Sequence, residues 1–172
     1  TITSGEPKVT DLYPIAPVTE KALLLAAGAL EQKSEHPLAR AVLELAKERG
    51  IDCGDLTEFT AVPGNGLTGQ RGTSFLAGGN AAFIGGQAMI PEAAKAMAEQ
   101  YSKQGKTPLF FSENGRLLGI IAVADVIKED SPRAIRELQN MGIRVVMLTG
   151  DNERTAQAIG AEAGVDEVIA GV

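Results

Sequence analysis

Ile143-Arg144-Val145-Val146-Met147-Leu148-Thr149-Gly150-Asp151-Asn152 is the stretch that decides the fold of the last third of this 172-residue chain. The mostly apolar run 143–148 reads as a strand buried on both faces. The turn Thr149-Gly150-Asp151-Asn152 then hands the chain to a helix through Ala156, Ile159 and Ala163, which Gly164 stops. Val168-Ile169 begins another strand. Strand, helix, strand is the parallel α/β unit.

Outward from that stretch the grammar changes. Upstream, Ser131 and Pro132 start a helix with Ile135, Leu138 and Met141 inside, and Gly142 ends it. Before it lies the clearest hairpin signal, Asn114-Gly115, which supplies the two positive-φ positions of a type I′ turn between strands over 107–113 and 116–123. Pro91 opens a helix whose inward residues are Ala94, Met97, Ala98 and Tyr101, with Gly105 at its end. Short strands are expected over 56–62 and 67–71, around Pro63-Gly64-Asn65-Gly66, and over 73–77. Thr19 can cap a helix with the stripe Leu23, Ala26, Ala27, Leu30. Pro37 starts another, with Leu38, Ala41, Val42, Leu45 and Ala46 inward and Gly50 as its stop. The opening 1–11 reads as an extended or loop segment.

The expected fold class is therefore an α+β domain with an antiparallel sheet and flanking helices, plus a partial parallel α/β domain. The divisions are 1–7 as a hinge, 8–122 as the first domain and 123–172 as part of the second. The first few residues are expected beside the second part, because an inserted domain leaves and returns to its host.

Composition narrows the function classes. The net charge is −6 with no dense Lys/Arg run, which argues against nucleic acid as a partner. The longest apolar runs, 22–30 and 117–124, fall far short of the ~20 residues that span a bilayer, and no segment reads as a signal peptide. One cysteine, Cys53, allows neither a disulfide framework nor a cysteine metal cluster. No Walker A loop and no Gly-x-Gly-x-x-Gly opening a helix is present.

Several constellations could carry chemistry, each with two readings. His36, the one histidine, precedes a helix-starting proline and could stack on or hydrogen-bond a flat heteroaromatic ligand, or simply cap the helix. Glu31, five residues back, could accept from an exocyclic amine, or be a solvated helix-end acid. Gly64-Asn65-Gly66 lets a ligand approach the backbone, or is only a hairpin turn. Gly78-Gly79-Asn80 is a flexible turn, with Asn80 a cap or a polar contact. Thr149-Gly150-Asp151-Asn152 lies where a buried strand meets a helix N-terminus, an edge suited to phosphate. Asp151 fits there if Mg²⁺ or a lysine neutralises the site; otherwise the turn is a helix cap.

Together these segments resemble the heavy-metal-transporting P-type ATPases. Thr1-Ile2-Thr3-Ser4-Gly5-Glu6-Pro7 looks like the tail of their Asp-Lys-Thr-Gly-Thr-(Leu/Ile)-Thr phosphorylation motif, with the nucleophilic aspartate expected just upstream of Thr1. Ser34-Glu35-His36-Pro37-Leu38 matches their Ser-Glu-His-Pro-Leu motif, Gly64-x-Gly66 their Gly-x-Gly, Gly79-Asn80 their Gly-Asn, and Thr149-Gly150-Asp151-Asn152 their Thr-Gly-Asp-Asn. The matches are colinear and cover essentially the whole chain. The resemblance makes 8–122 a nucleotide-binding domain and 123–172 part of a haloacid-dehalogenase-like phosphorylation domain. It implies ATP or ADP as ligand, with adenine at Glu31 and His36, Gly64 and Gly66 lining the pocket through backbone, and Gly79-Asn80 completing it. Thr149 would bind the transferred phosphoryl group, with Asp151 beside it and its Mg²⁺.

The function implied by the resemblance is ATP-driven export of a heavy-metal ion through an aspartyl-phosphate. Copper(I) is preferred over zinc or cadmium on the similarity of 1–7 and of Ala61-Val62-Pro63-Gly64. The chain itself is expected to be a soluble cytoplasmic piece of an integral membrane protein that binds nucleotide without hydrolysing it. Its partners would be the transmembrane, actuator and remaining phosphorylation domains of the same protein. Ala81 departs from the basic residue often found after Gly-Asn, and the Gly-Asp-Gly-x-Asn-Asp motif does not occur. Rival readings are a free-standing haloacid-dehalogenase-type phosphatase, for which 1–11 offers no Asp-x-Asp, and a catalytically silent regulatory module.

Overall fold

The computed structural model describes residues 2–172. Thr1, which resembles the fifth position of the phosphorylation motif, lies outside the described residues. Fourteen elements follow one another: β1 (Thr3–Pro14), α1 (Glu20–Glu31), α2 (Pro37–Glu48), β2 (Thr57–Val62), β3 (Gly66–Arg71), β4 (Ser74–Gly79), α3 (Ala81–Gly85), α4 (Glu92–Lys103), β5 (Thr107–Glu113), β6 (Arg116–Ile127), α5 (Ser131–Asn140), β7 (Val146–Leu148), α6 (Glu153–Ala163) and β8 (Glu167–Ile169). Six strands form one antiparallel sheet in the order β1-β6-β5-β4-β3-β2, and β7 and β8 form a parallel pair.

Helices cover both faces of the large sheet, so its central strands are buried twice. On β6, Ile121 and Val123 face one way with Phe111 and Leu76, and meet Leu23, Leu24, Ala27 and Leu30 of α1 and Val42 of α2. Ile120 and Ala122 face the other way with Phe110 and Ala77, and meet Ile84 of α3 and Ala94, Ala98 and Tyr101 of α4. This is the period of two along a strand, and each fully buried large side chain contributes about 1.5–3 kcal/mol of transfer free energy.

Local signals set the helix entries. Thr19 Oγ1 accepts from Ala22 N at 3.1 Å at the start of α1. His36 Nδ1 accepts from Leu38 N at 3.2 Å at the start of α2. Asn114 and Gly115, at φ 49° and 77°, make the β5–β6 turn.

Three features differ from the sequence reading. The five-residue α3 is too short to show a hydrophobic period and is not foreshadowed by one. The strand expected over 143–148 narrows to Val146–Leu148, and of these only Met147 is buried. Among the described residues it pairs with β8 alone, and Val146 and Leu148 stay exposed. The doubly buried strand is instead β6, whose residues 117–123 are all buried.

β1 and β6 also run longer than expected. They pair from Pro14↔Gly119 to Thr3↔Ile127, and beyond Val9↔Val123, where β5 no longer flanks β6, they continue as a two-stranded ribbon. The register shifts once between Val9 and Asp11, and a bulge sits between Thr3 and Pro7. There Asp125 Oδ1 accepts from Ser4 Oγ at 3.3 Å and from Gly5 N at 3.1 Å. Beyond the bulge, Ile2 O accepts from Lys128 N and from Ser131 Oγ, so the opening residues lie beside the start of α5. On the other side, Arg154 of α6 pairs with Glu99 of α4 at 2.7 Å.

Candidate functional site

Four separate segments meet at a cavity of about 370 Å³, within the usual range of small-molecule sites. The end of α1 brings Glu31 and the loop before α2 brings Ser34 and His36. The β2–β3 turn brings Gly64, Asn65 and Gly66; the end of β4 brings Gly78, Gly79 and Asn80. Leu38, Val62, Leu67 and Leu109 supply apolar walls. All six residues that sequence marks for nucleotide therefore share one lining.

The glycines are required by close approach. A Cβ on Gly66 would stand 2.3 Å from Gly78 O and 2.4 Å from the Phe83 ring. One on Gly79 would stand 2.3 Å from Asn65 O. Gly64 has φ +75°, and a Cβ there would meet nothing within 4 Å. Two of the glycines thus fix the floor, and the third serves the turn.

Asn80 locks these pieces together. Its Oδ1 accepts from Phe83 N at 2.9 Å, capping α3; its Nδ2 donates to Gly64 O at 3.3 Å; its backbone N donates to Asn65 O at 3.1 Å. Replacing Asn80 with alanine removes the cap and the side-chain tie. The expected loss is about 1–2 kcal/mol of stability, checked by urea unfolding, with an unchanged midpoint excluding this role.

Glu31 is not the solvated helix-end acid that its position suggests. It is 7% exposed, at the end of α1, a helix that packs against β3 and β4. Burial pushes its carboxyl up to about 7, and a hydrogen bond from the Ser34 hydroxyl opposes that rise only in part. Ser34 Oγ also accepts from His36 N at 3.2 Å, so Glu31, Ser34 and His36 form one connected wall. Because His36 Nδ1 accepts from Leu38 N, a neutral ring carries its proton on Nε2.

The cavity lining contains no Lys or Arg; among the described residues its ionisable side chains are Glu31 and His36. Such a wall suits a flat, uncharged heteroaromatic group and gives nothing to hold a phosphate chain. Thr107 also lines a neighbouring cleft that reaches Asn152, Arg154 and Thr155 at the start of α6.

Thr149 and Asp151 lie apart from this cavity, after β7. Thr149 Oγ1 donates to Asp151 Oδ2 at 2.9 Å, and Asp151 N donates to Thr149 Oγ1 at 3.2 Å. The cap of α6 is Asn152, whose Oδ1 accepts from Thr155 N at 3.0 Å. Capping therefore does not occupy the Asp151 carboxylate. Sequence reasoning missed Ser34, Thr107 and the apolar walls; the position of Ser34 three residues after Glu31 was the available signal for the first.

Comparison with known proteins gives the class. The whole chain, residues 1–172, matches the family described as hydrolase, haloacid dehalogenase-like hydrolase, and the chain belongs to that family. Within it, the similarity is to P-type ATPases. The chain is 41% identical over its full length to a copper-transporting P-type ATPase of Rhizobium leguminosarum bv. viciae and 37% identical to a silver exporting P-type ATPase of Salmonella typhimurium. It spans about a fifth of the length of these relatives, 20% and 21%. Among solved structures, a zinc-transporting PIB-type ATPase in the E2.Pi state is 32% identical with a TM-score of 0.88, over 100% of this chain and 28% of that one. Among the described residues no helix is long and apolar enough to cross a membrane.

Proposed function

We propose that the cavity holds the adenine end of ATP, and that the chain is the nucleotide-binding domain (8–122) with part of the phosphorylation domain (123–172) of an ATP-driven heavy-metal exporter. The observation that carries this is the cation-free, glycine-floored cavity with one buried acid and one ring on its wall. His36 faces the base with its ring, Glu31 meets the polar edge, and Gly64, Gly66, Gly79 and Asn80 shape the floor. The base fits a cradle that any Cβ at Gly66 or Gly79 would fill.

The phosphate chain leaves this cavity, and the cleft beyond Thr107 marks the route toward α6. Thr149 and Asp151 are the groups for the transferred phosphoryl and its Mg²⁺, which supplies charge neutralisation when bound. In this reading residues 1–7 are the tail of the phosphorylation motif. Membrane, actuator and remaining phosphorylation segments of the same protein are its partners. Copper(I) is the preferred cargo, with copper and silver in the names of relatives at 41% and 37% identity. Zinc is the second reading, favoured by the zinc-transporting structure at 32% identity.

Isothermal titration with ATP tests the proposal. His36→Asn keeps a good cap for α2 and removes the ring, so it should weaken ATP about tenfold, the scale of one lost base–aromatic contact. His36→Gln should weaken it as well. Absence of binding by the unmodified chain, or equal binding by all three, would sink the reading. Mg²⁺ should change the affinity little, since the base is the part held.

A further inference from the structure

Glu31 is the one buried acid on the polar edge of the cavity, 7% exposed, and its chemistry decides which base the cavity takes. The groups facing it come from every element packed around it. The loop before α2 offers the Ser34 hydroxyl and the His36 ring; the β2–β3 turn, the end of β4 and the start of β5 offer no charged side chain. Lys33, the adjacent cation on the chain, is turned away, its Nζ donating to Leu56 O at 3.0 Å. No guanidinium or ammonium group among the described residues is therefore in place to hold Glu31 as a carboxylate. Resting on the reading of this cavity as a base pocket, we propose that Glu31 meets the base as an uncharged carboxylic acid, donating to a ring nitrogen of adenine and accepting from its amino group, so that adenine binding and its margin over guanine depend on pH.

A protonated carboxyl has one O–H donor and acceptor capacity beside it. The polar edges of adenine place an acceptor ring nitrogen next to the donor amino group, the same pattern that a Gln or Asn amide reads bidentately. Guanine offers the O6 acceptor beside the N1–H donor and, next to that, the paired N1–H and amino donors. A carboxylic acid can meet the first pair and a carboxylate the second, whereas adenine is met bidentately by the acid alone. Loss of one proton thus costs adenine a contact that guanine keeps, and the preference moves toward guanine as Glu31 ionises. The site holds that proton because burial has already pushed the carboxyl up to about 7. The adenine-competent form is therefore full below that value and is lost above it.

Adenosine and guanosine are the probes, because their lack of phosphates removes a group that titrates in the same range. Binding to the folded chain is followed by NMR titration between about pH 5.5 and about 8.5, with the Glu31 carboxyl carbon observed directly. The expected result is adenosine affinity that is level below about pH 7 and falls about tenfold per unit above it, with the adenosine-to-guanosine ratio shrinking in parallel. The carboxyl titration should move upward when adenosine is bound. Glu31→Gln, which carries a donor and an acceptor at every pH, should lose this slope; any contribution of His36 remains in that variant and is subtracted. A level adenosine profile, a slope equally steep in Glu31→Gln, or an unchanged carboxyl titration overturns the inference while leaving the base pocket standing. Failure of both nucleosides and of ATP to bind at any pH overturns the pocket itself, and the inference with it.

Discussion

Replacing Gly66 with alanine is expected to destabilise the chain by about 3 kcal/mol and to abolish measurable nucleotide binding. The added methyl would stand 2.3 Å from the Gly78 carbonyl oxygen and 2.4 Å from the Phe83 ring. The first neighbour is backbone within the β3–β4 ladder, where Gly66 pairs with Gly79 and Leu67 with Gly78. It cannot rotate away as a side-chain tip can. Relief requires moving β3, β4 or the start of α3, and overpacking of this kind costs about 1–3 kcal/mol, occasionally more. The same shift displaces the cavity floor. Gly64 is the internal control: its Cβ would meet no atom within 4 Å, and only its φ of +75° is adverse. Gly64→Ala should cost about 1–2 kcal/mol. Urea unfolding and ATP titration of the two variants side by side provide the check. Equal losses would mean that the floor is not set by close approach at Gly66.

Glu31→Gln should do the opposite and stabilise the free chain at alkaline pH. The Glu31 carboxyl has an ordinary value of 4.5 and is raised to about 7 in the folded state. Below 4.5 both folded and unfolded chains hold the proton, and burial carries no ionic penalty. As pH rises from 4.5 toward 7 the unfolded chain releases its proton first, so stability falls; above 7 the loss is complete. The difference corresponds to about 3 kcal/mol in the charged range, at about 1.4 kcal/mol per pH unit. The glutamine variant avoids it. For a domain of this size the melting temperature should rise by about 8 °C at pH ~8 and hardly at all at pH ~4. A pH-independent difference between the two proteins would show that Glu31 does not ionise at a cost to folding. A group retained at such a cost serves something other than stability, consistent with its place on the cavity wall.

Much of the fold was legible because it is local. Thr19 and His36 cap α1 and α2 as the sequence implies, and Asn114-Gly115 makes its turn. The strand–helix–strand unit is present, with β7 and β8 parallel. What was not legible depended on contacts distant in sequence. The run 143–148 and the run 117–123 look alike as strings of apolar residues. Only the second lies between two helical layers, whereas Val146 and Leu148 stay 43% and 64% exposed. At the cavity, the resemblance singled out the glycine turns, His36 and Glu31, and these share one lining. It could not show that α1 packs against β3 and β4, or that Glu31 at the end of α1 is buried rather than solvated. Thr107 carries no distinctive sequence signal; it lines the cavity because β5 starts there.

The β1–β6 pairing joins the start of the chain to the segment that leads into α5. Paired strands resist stretching along their length and sliding past one another, since either motion breaks the ladder, but they yield to bending across their plane and to twisting. The Ser4–Gly5 bulge, clasped by Asp125, is where the ladder is already interrupted and where bending is cheapest. Bending and twisting are therefore the deformations the ribbon leaves open to the residues joined through it, and the half-exposed Glu99–Arg154 pair, a contact of the kind worth well under about 1 kcal/mol, adds little against them.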